Sequence, residues 1–311
     1  IMIISASRRT DIPAFYSDWF MNKIRNGFFY KYNKKMNCYE KISLEHQDVE
    51  CIVFWTKNAE PITKYLSELK ATGYKFYFQY SITPYGKDVE PKINNKRQIM
   101  NNFINISNTY GKDTVIWRYD PILLTKKYTI DFHIKSFRQL AKVLSKYTDE
   151  CIISFVDEIS KGNQTIYYEA PNQDEIVTIA KAFSQIAKQY GLKIKTCAEK
   201  VDLTKYGIEH AACIDKEKIE DITGQFLNVK KDHSQRADCC CVSSFDIGEY
   251  FSCLHQCAYC YAGGTNVFQC EHNKSINVIE SPLFFGNLDS RLTVKKRKFQ
   301  SIVSNEQVTL F

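Results

Sequence analysis

Hydrophobic positions along the chain follow two rhythms that take turns. Short runs of β-branched and aromatic residues, Met2–Ala6, Cys51–Trp55, Phe76–Ile82, Thr114–Tyr119, Cys151–Val156 and Lys193–Cys197, read as buried strands. Between them lie longer stretches, near Tyr16–Arg25, Ile62–Thr72, Lys96–Tyr110, Ile130–Ser145 and Asp174–Tyr190, whose apolar residues return every three or four positions. In the last, Ile176, Ile179, Ala180, Phe183, Ile186 and Ala187 share one helical face and Gly191 is placed to end it. Strand followed by helix, repeated, predicts an α/β fold on a parallel sheet. Polar residues close nearly every strand: Ser5 and Ser7, Thr56 and Lys57, Gln79 and Thr83, Arg118 and Asp120, Asp157, Glu199. That pattern predicts a (β/α) barrel of six to seven units whose strand C-terminal ends form the active face. A further short strand around Ser243–Ile247 would close the barrel beside Met2–Ala6. Beyond Gly263 the alternation stops, so residues 1–262 are expected to form the barrel and 263–311 an irregular C-terminal appendage with a basic tail at Arg291 and Lys295–Lys298.

With 311 residues, 44% of them hydrophobic, the chain has enough apolar surface for one large core or two modest ones. No apolar run approaches the roughly 20 residues that span a bilayer, and no apolar leader opens the sequence, so a cytoplasmic protein without a membrane partner is expected. In a reducing compartment, twelve cysteines point to metal or cluster ligation rather than disulfides. Cys51 and Cys151 sit in apolar strand-like runs and act there as small hydrophobes, and Cys38 stands apart. The other nine fall between Cys197 and Cys270. A formal charge of +7 permits nucleic-acid binding without requiring it.

Cys253, Cys257 and Cys260 stand in SCLHQCAYCYA, spaced by three residues and then two, with Tyr259 directly before the last thiol. Three thiolates at this spacing suit a 4Fe-4S cluster that keeps one iron free of protein ligands, whereas an electron-transfer cluster takes four cysteines. A zinc site draws paired ligands from two separate places, which this triplet does not offer. His255, inside the triplet, is expected to face solvent.

The triplet is similar to the signature of radical S-adenosylmethionine (SAM) enzymes, and its YCYA end is similar to that of spore photoproduct lyase and its relatives, which repair a thymine lesion in DNA. In that superfamily the cysteines follow the first barrel strand; here they come near the end, so the resemblance implies a circularly permuted barrel. The whole chain, through SASRRTDIP, FWTKN, ITPYGKDVEP, WRYDP, SFVD, TCAE and DIGEYFSCLHQCAYCYA, resembles a bacterial family of unknown function, DUF1848. The radical SAM resemblance implies SAM bound at the open iron and a one-electron reductant such as flavodoxin or ferredoxin. By position it puts Ser5, Ser7 and Asp11, in place of the glycines and acid usual there, near the SAM amino group, with Arg8 or Arg9 pairing a carboxylate or phosphate. The alternative for SRRTD is a helix cap with solvated arginines. Tyr259, Arg118 and Glu199 complete the expected cofactor ring, Arg118 being equally suited to an internal ion pair with Asp120.

A second group is expected at Cys197, Cys213, Cys239 and Cys241, because alternate residues of an extended run face one side and leave Cys240 pointing away. Four thiolates suit a second iron–sulfur cluster or a structural zinc. The terminal run Gln307-Val308-Thr309-Leu310-Phe311 resembles the short peptide with which bacterial polymerases and repair proteins dock on the sliding clamp, and with the basic tail it points towards DNA. Two functions of different class remain: a radical SAM enzyme acting on an unknown substrate, or a non-catalytic iron–sulfur or zinc protein that binds DNA or a partner in DNA metabolism.

Overall fold

A computed structural model describes residues 1–93, 95–157, 168 and 170–304. Strands β1 (Met2–Ala6), β4 (Val49–Thr56), β5 (Phe76–Ser81), β6 (Val115–Ile122), β7 (Glu150–Phe155), β8 (Lys193–Thr196), β9 (Glu209–His210) and β10 (Phe245–Asp246) form one sheet in the order β10-β1-β4-β5-β6-β7-β8-β9. Every neighbouring pair is parallel. The intervening helices are α1 (Ile12–Phe15), α2 (Ser17–Asn26), α3 (Glu60–Thr63), α4 (Leu66–Ala71), α5 (Lys96–Tyr110), α6 (Ile130–Leu144) and α7 (Gln173–Gln189), with α8 (Lys216–Thr223) after β9 and α9 (Val267–Ser275) after β10.

Both faces of the sheet are buried, which is why its strands read as unbroken apolar runs. Met2, Ile4, Ile52, Phe54, Phe76, Phe78, Trp117 and Ile153 belong to the core under the helices. The alternate residues Ile3, Cys51, Val53, Tyr77, Ile116 and Ile152 pack with one another on the other face, together with the segment around Cys213. Polar caps start the helices: Asn172 and Glu175 form a reciprocal capping box on α7, and the Asn95 and Thr129 side chains accept first-turn amides of α5 and α6.

The short strand expected near Ser243–Ile247 is present as β10, and Ile4 pairs with Phe245 and Ser5 with Asp246. The last strand of the sheet in sequence thus lies beside the first. Closure is a different matter: among the described residues β9 and β10 are the two edges of the sheet and do not pair. These edge strands have two residues each, and the chain between them is largely loop, joined by the single bridge Lys231 to Val242. Too little backbone is extended there to complete a ladder, so of the open and closed forms that the strand pattern allows, the described residues form the open one.

A hairpin of β2 (Phe28–Asn33) and β3 (Cys38–Ser43) interrupts the first βα unit, and β11 (Val294–Lys296) adds to β3 in parallel. The appendage is therefore stitched to the main unit. The Trp19 Nε1–H donates to Leu283 O at 3.0 Å, the Lys23 ammonium to Ser281 O at 2.7 Å, and Phe284 lies 4.8 Å from the Trp19 ring centre. No helix among the described residues is long and apolar enough to cross a membrane.

Candidate functional site

The loop carrying Cys253, Cys257 and Cys260 leaves β10 and lies over the C-terminal ends of β1, β4 and β5. Its three thiols are free. The loop turns at Gln256, whose φ of +57° is left-handed, and Ala258 N–H donates to Val89 O at 2.9 Å, pinning the loop to the segment after β5. Burial raises the pKa of all three thiols; Cys257 is pushed up to about 12, with Lys57 pulling the other way. Thiols held neutral in this way must lose protons to become ligands, which couples metal uptake to pH. Gly264 N–H points at Cys260 Sγ from 3.4 Å, and a Cβ at Gly264 would sit only 3.0 Å from that sulfur. An amide beside the sulfur and a gap that a methyl would fill are what a sulfur-ligated cluster needs around it. Three free thiols and this amide are the donor chemistry such a cluster takes, although the three sulfurs are not drawn together as a metal site among the described residues.

Two buried carboxylates hold the loop in place. Asp11 caps α1 through Ala14 N–H and also accepts Lys57 N–H at 2.7 Å, Thr56 Oγ1–H at 3.0 Å and His255 Nε2–H at 2.8 Å. His255 is 4% exposed, so the solvent-facing position expected of it is wrong: its ring packs on Phe15 at 4.6 Å and ties the cysteine loop to the ends of β1 and β4. Glu90 accepts hydrogen bonds from Thr83 Oγ1–H at 2.8 Å and Lys57 Nζ at 2.9 Å, and also from the Lys96 ammonium and the Tyr259 hydroxyl. Burial alone would raise the Glu90 pKa, but Lys57 and Lys96 prevail and hold it near 2. Tyr259, expected among the cofactor residues, is thus buried and bonded to Glu90.

Ser5 and Ser7 donate to Asp246 at 2.9 and 2.6 Å, and Arg8 N–H joins them at 2.9 Å, so the segment after β1 is organised around β10. The Arg8 side chain runs inward, 5.3 Å above the Trp55 ring and beside the Cys241 thiol. Arg118 is ion-paired with Asp120, the internal arrangement, and its Nη1 also donates to Gln79 Oε1 at 3.0 Å and to Cys213 Sγ at 2.9 Å. Glu199 accepts Phe155 N–H at 2.7 Å; burial, reinforced by Asp157, pushes its pKa up to about 7.

Cys197, Cys213, Cys239 and Cys241 come together on the inner face of the sheet. Cys213 Sγ is 3.2 Å from Cys197 Sγ, Cys241 shares thiol hydrogen bonds with Cys213 and Cys239, and Ile214 N–H donates to Cys241 Sγ at 3.3 Å. Hydrogen bonding from Cys213, aided by Arg118, lowers the Cys197 pKa to about 7, and Cys241 is lowered by its two thiol neighbours and Arg8. Cys240 is exposed, as alternation requires. Among the described residues no group of three or more His, Cys, Asp or Glu side chains is positioned, as it stands, around a metal ion. At 3.2 Å the Cys213–Cys197 sulfurs are closer than tetrahedral zinc sets them, since bonds of about 2.3 Å separate its sulfurs by about 3.8 Å. Cys270 Sγ donates to Gly263 O at 3.4 Å, and its pKa is pushed up to about 11 by burial and by nearby Cys260. The terminal Gln307–Phe311 run lies outside the described residues.

What fold and site define together is an α/β protein with a parallel sheet and a cysteine loop set over the strand ends. By sequence it belongs to the family described as domain of unknown function DUF1848, whose model matches residues 3–262. No protein of curated function matches the chain. A crystal structure titled as that of a "putative alpha-L-fucosidase" from Bacteroides thetaiotaomicron aligns over 74% of this chain and 85% of its own, at 12% identity and a TM-score of 0.23, a likeness too slight to carry argument.

Proposed function

We propose that this protein is a radical SAM enzyme, with Cys253, Cys257 and Cys260 holding a 4Fe-4S cluster and SAM on its open iron. The observation that supports this most is the placement of the triplet: a strand leads directly into it, that strand pairs with β1, and the loop lies over the C-terminal ends of a parallel sheet. Held by Cys253, Cys257 and Cys260, such a cluster would supply one-electron reduction of SAM, with the electron drawn from a protein reductant such as flavodoxin or ferredoxin. The chain's own residues hold and screen that chemistry. Asp11 and His255 fix the loop, Glu90 with Lys57 and Lys96 makes a buried charged brace under Tyr259, and Gly264 leaves room beside Cys260. Cys197, Cys213, Cys239 and Cys241 are read as a second centre, iron–sulfur or zinc, flanked by Arg8 and Arg118, whose charge favours thiolates.

The deciding assay is product release. Anaerobically reconstituted protein given dithionite and SAM should form 5′-deoxyadenosine; a non-catalytic metal protein that binds DNA would release none, and that result would sink the enzyme reading.

A further inference from the structure

Beside the cysteine loop, a cleft of about 560 Å³ opens between the β2–β3 hairpin, the segment after β1 and the loop at Asp232–Gln235. Its size lies in the range of ligand sites. Six cations line it, Arg8, Arg9, Lys31, Lys34, Lys35 and Arg297, against three acids. Each acid is already engaged within the protein. Glu40 pairs with Arg297 at 2.9 Å, Asp232 lies 3.9 Å from Arg8, and Asp246 accepts Ser5, Ser7 and two backbone amides. Lys34 and Lys35, on the exposed hairpin turn, have no ion-pair partner among the described residues. Lys31 is paired as well, with Glu249 at 3.4 Å, so among the described residues the cleft's cations without an ion pair are Arg9, Lys34 and Lys35.

The same walls carry exposed aromatic rings. Tyr261 is 72% exposed and Tyr32 and Tyr250 are each 47% exposed. None of these rings is needed for the core, and Arg9 lies 5.1 Å over Tyr250, extending a flat cationic surface. Rings interleaved with cations serve one kind of ligand well: a chain of planar bases joined by phosphates, with bases stacking on the rings while the cations follow the backbone. A small acid or a lone phosphate would use the cations but leave the rings wet. Duplex DNA would reach the cations but keep its bases stacked on one another.

The cleft also leads to the cysteines. Tyr261 directly follows Cys260, and its hydroxyl donates to Arg8 O at 2.7 Å, so the aromatic wall and the cysteine loop are one segment. We infer that this cleft seats single-stranded nucleic acid, with a base over Tyr261 beside the loop that carries Cys260. The inference rests on the proposed reading of the triplet only for what happens to that base; the binding itself is independent of it.

The test is a fluorescence-polarisation titration of the full chain with a labelled oligothymidylate of about 12 residues, a length within the range that single-strand grooves cover. The expected slope of log K against log salt is about −2 to −3.5, corresponding to about three to five phosphates at 0.7 each. K34E/K35E should weaken binding at least about tenfold and flatten that slope by about 1.4. Tyr261→Ala should weaken it about 5- to 150-fold with the slope unchanged, the signature of a lost stack rather than a lost charge. Equal affinity for duplex of the same length, the same slope in K34E/K35E, or no binding at low salt would each overturn the inference. Release of 5′-deoxyadenosine from SAM alone should survive in K34E/K35E, so failure of the cleft and failure of the enzyme reading give different results.

Discussion

His255 and Asp11 are 244 residues apart in sequence and 2.8 Å apart in space. The contact joins the loop of the three cysteines to the first turn of the first helix, and Asp11 has three further donors. Asp11→Ala leaves His255 Nε2–H, Lys57 N–H and Thr56 Oγ1–H without their buried acceptor, and losses of this kind cost about 2–4 kcal/mol. Urea unfolding of the protein should show that loss, with His255→Ala about half as harmful. An Asp11→Ala protein within about 0.5 kcal/mol of wild type would show that the contact does not organise the loop.

Replacing Cys253, Cys257 and Cys260 together by Ala should remove about four irons per chain from reconstituted protein, the content of one such cluster. If the second centre also holds iron, roughly half the total would remain. Iron content and visible absorption at wild-type level in the triple variant would contradict the assignment.

Cys213 touches Cys197 and shares a hydrogen bond with Cys241, at the middle of the four-thiol group. Metal bound there would add to folding free energy. Cys213→Ala is therefore expected to lower both metal content and melting temperature, the latter by several degrees. Chelator treatment that leaves the wild-type melting temperature unmoved would refute a metal at this place.

His133 is buried, its Nε2–H donating to Leu123 O at 2.9 Å while Nδ1 accepts from the Tyr119 hydroxyl at 2.8 Å. Burial lowers its pKa to about 4 from the ordinary 6.5. Between those values the unfolded chain binds the proton and the folded one does not, so stability is full above pH 6.5 and falls as pH drops towards 4. The loss is at most about 3 kcal/mol. His133→Gln should be less stable at pH 7.5 yet show a shallower decline from 6.5 to 4. A decline of unchanged steepness would assign it to other groups.

Gly248 is the close approach of the strand-end region: a Cβ there would lie 2.6 Å from Ser7 Cβ and 3.0 Å from Thr10 Cγ2. Gly248→Ala must push Ser7 off Asp246, and overpacking of this kind costs about 1–3 kcal/mol. Because Arg8 N–H shares that carboxylate, the same change should also weaken binding in the adjoining cleft. Unaltered stability in Gly248→Ala would mean that Ser7 has room to move.

Where burial dictates pattern, the sequence was readable. β1 and α5 occupy the expected Met2–Ala6 and Lys96–Tyr110, and β10 lies beside β1 where a permuted order put it. The helix expected over Ile62–Thr72 is broken into α3 and α4 at Lys64–Tyr65, with Pro61 in the first turn of α3, a tertiary adjustment with little trace in periodicity. The β2–β3 hairpin escaped notice although Phe28, Tyr30 and Tyr32 alternate ahead of the polar Lys34–Asn37 turn; that two-residue rhythm was its signal. That Cys239 and Cys241 turn inward while Cys240 is exposed was legible because alternation in an extended run is local. His255 was not, since its partner Asp11 lies almost the whole chain away and no local spacing reports such a pair.

The pairing of β10 with β1 sets an order of events in the cell. The strand-end serines of β1 find Asp246, and Asp11 finds His255, only after some 240 further residues have been made. Contacts of such sequence separation form late and slowly. Until Asp246 is made, one edge of β1 stays unpaired, and the thiols of Cys197 and Cys213 lack Cys239 and Cys241 and are open to oxidants. Chaperone protection of the open edge until the last strand is made suits a chain built in this sequence.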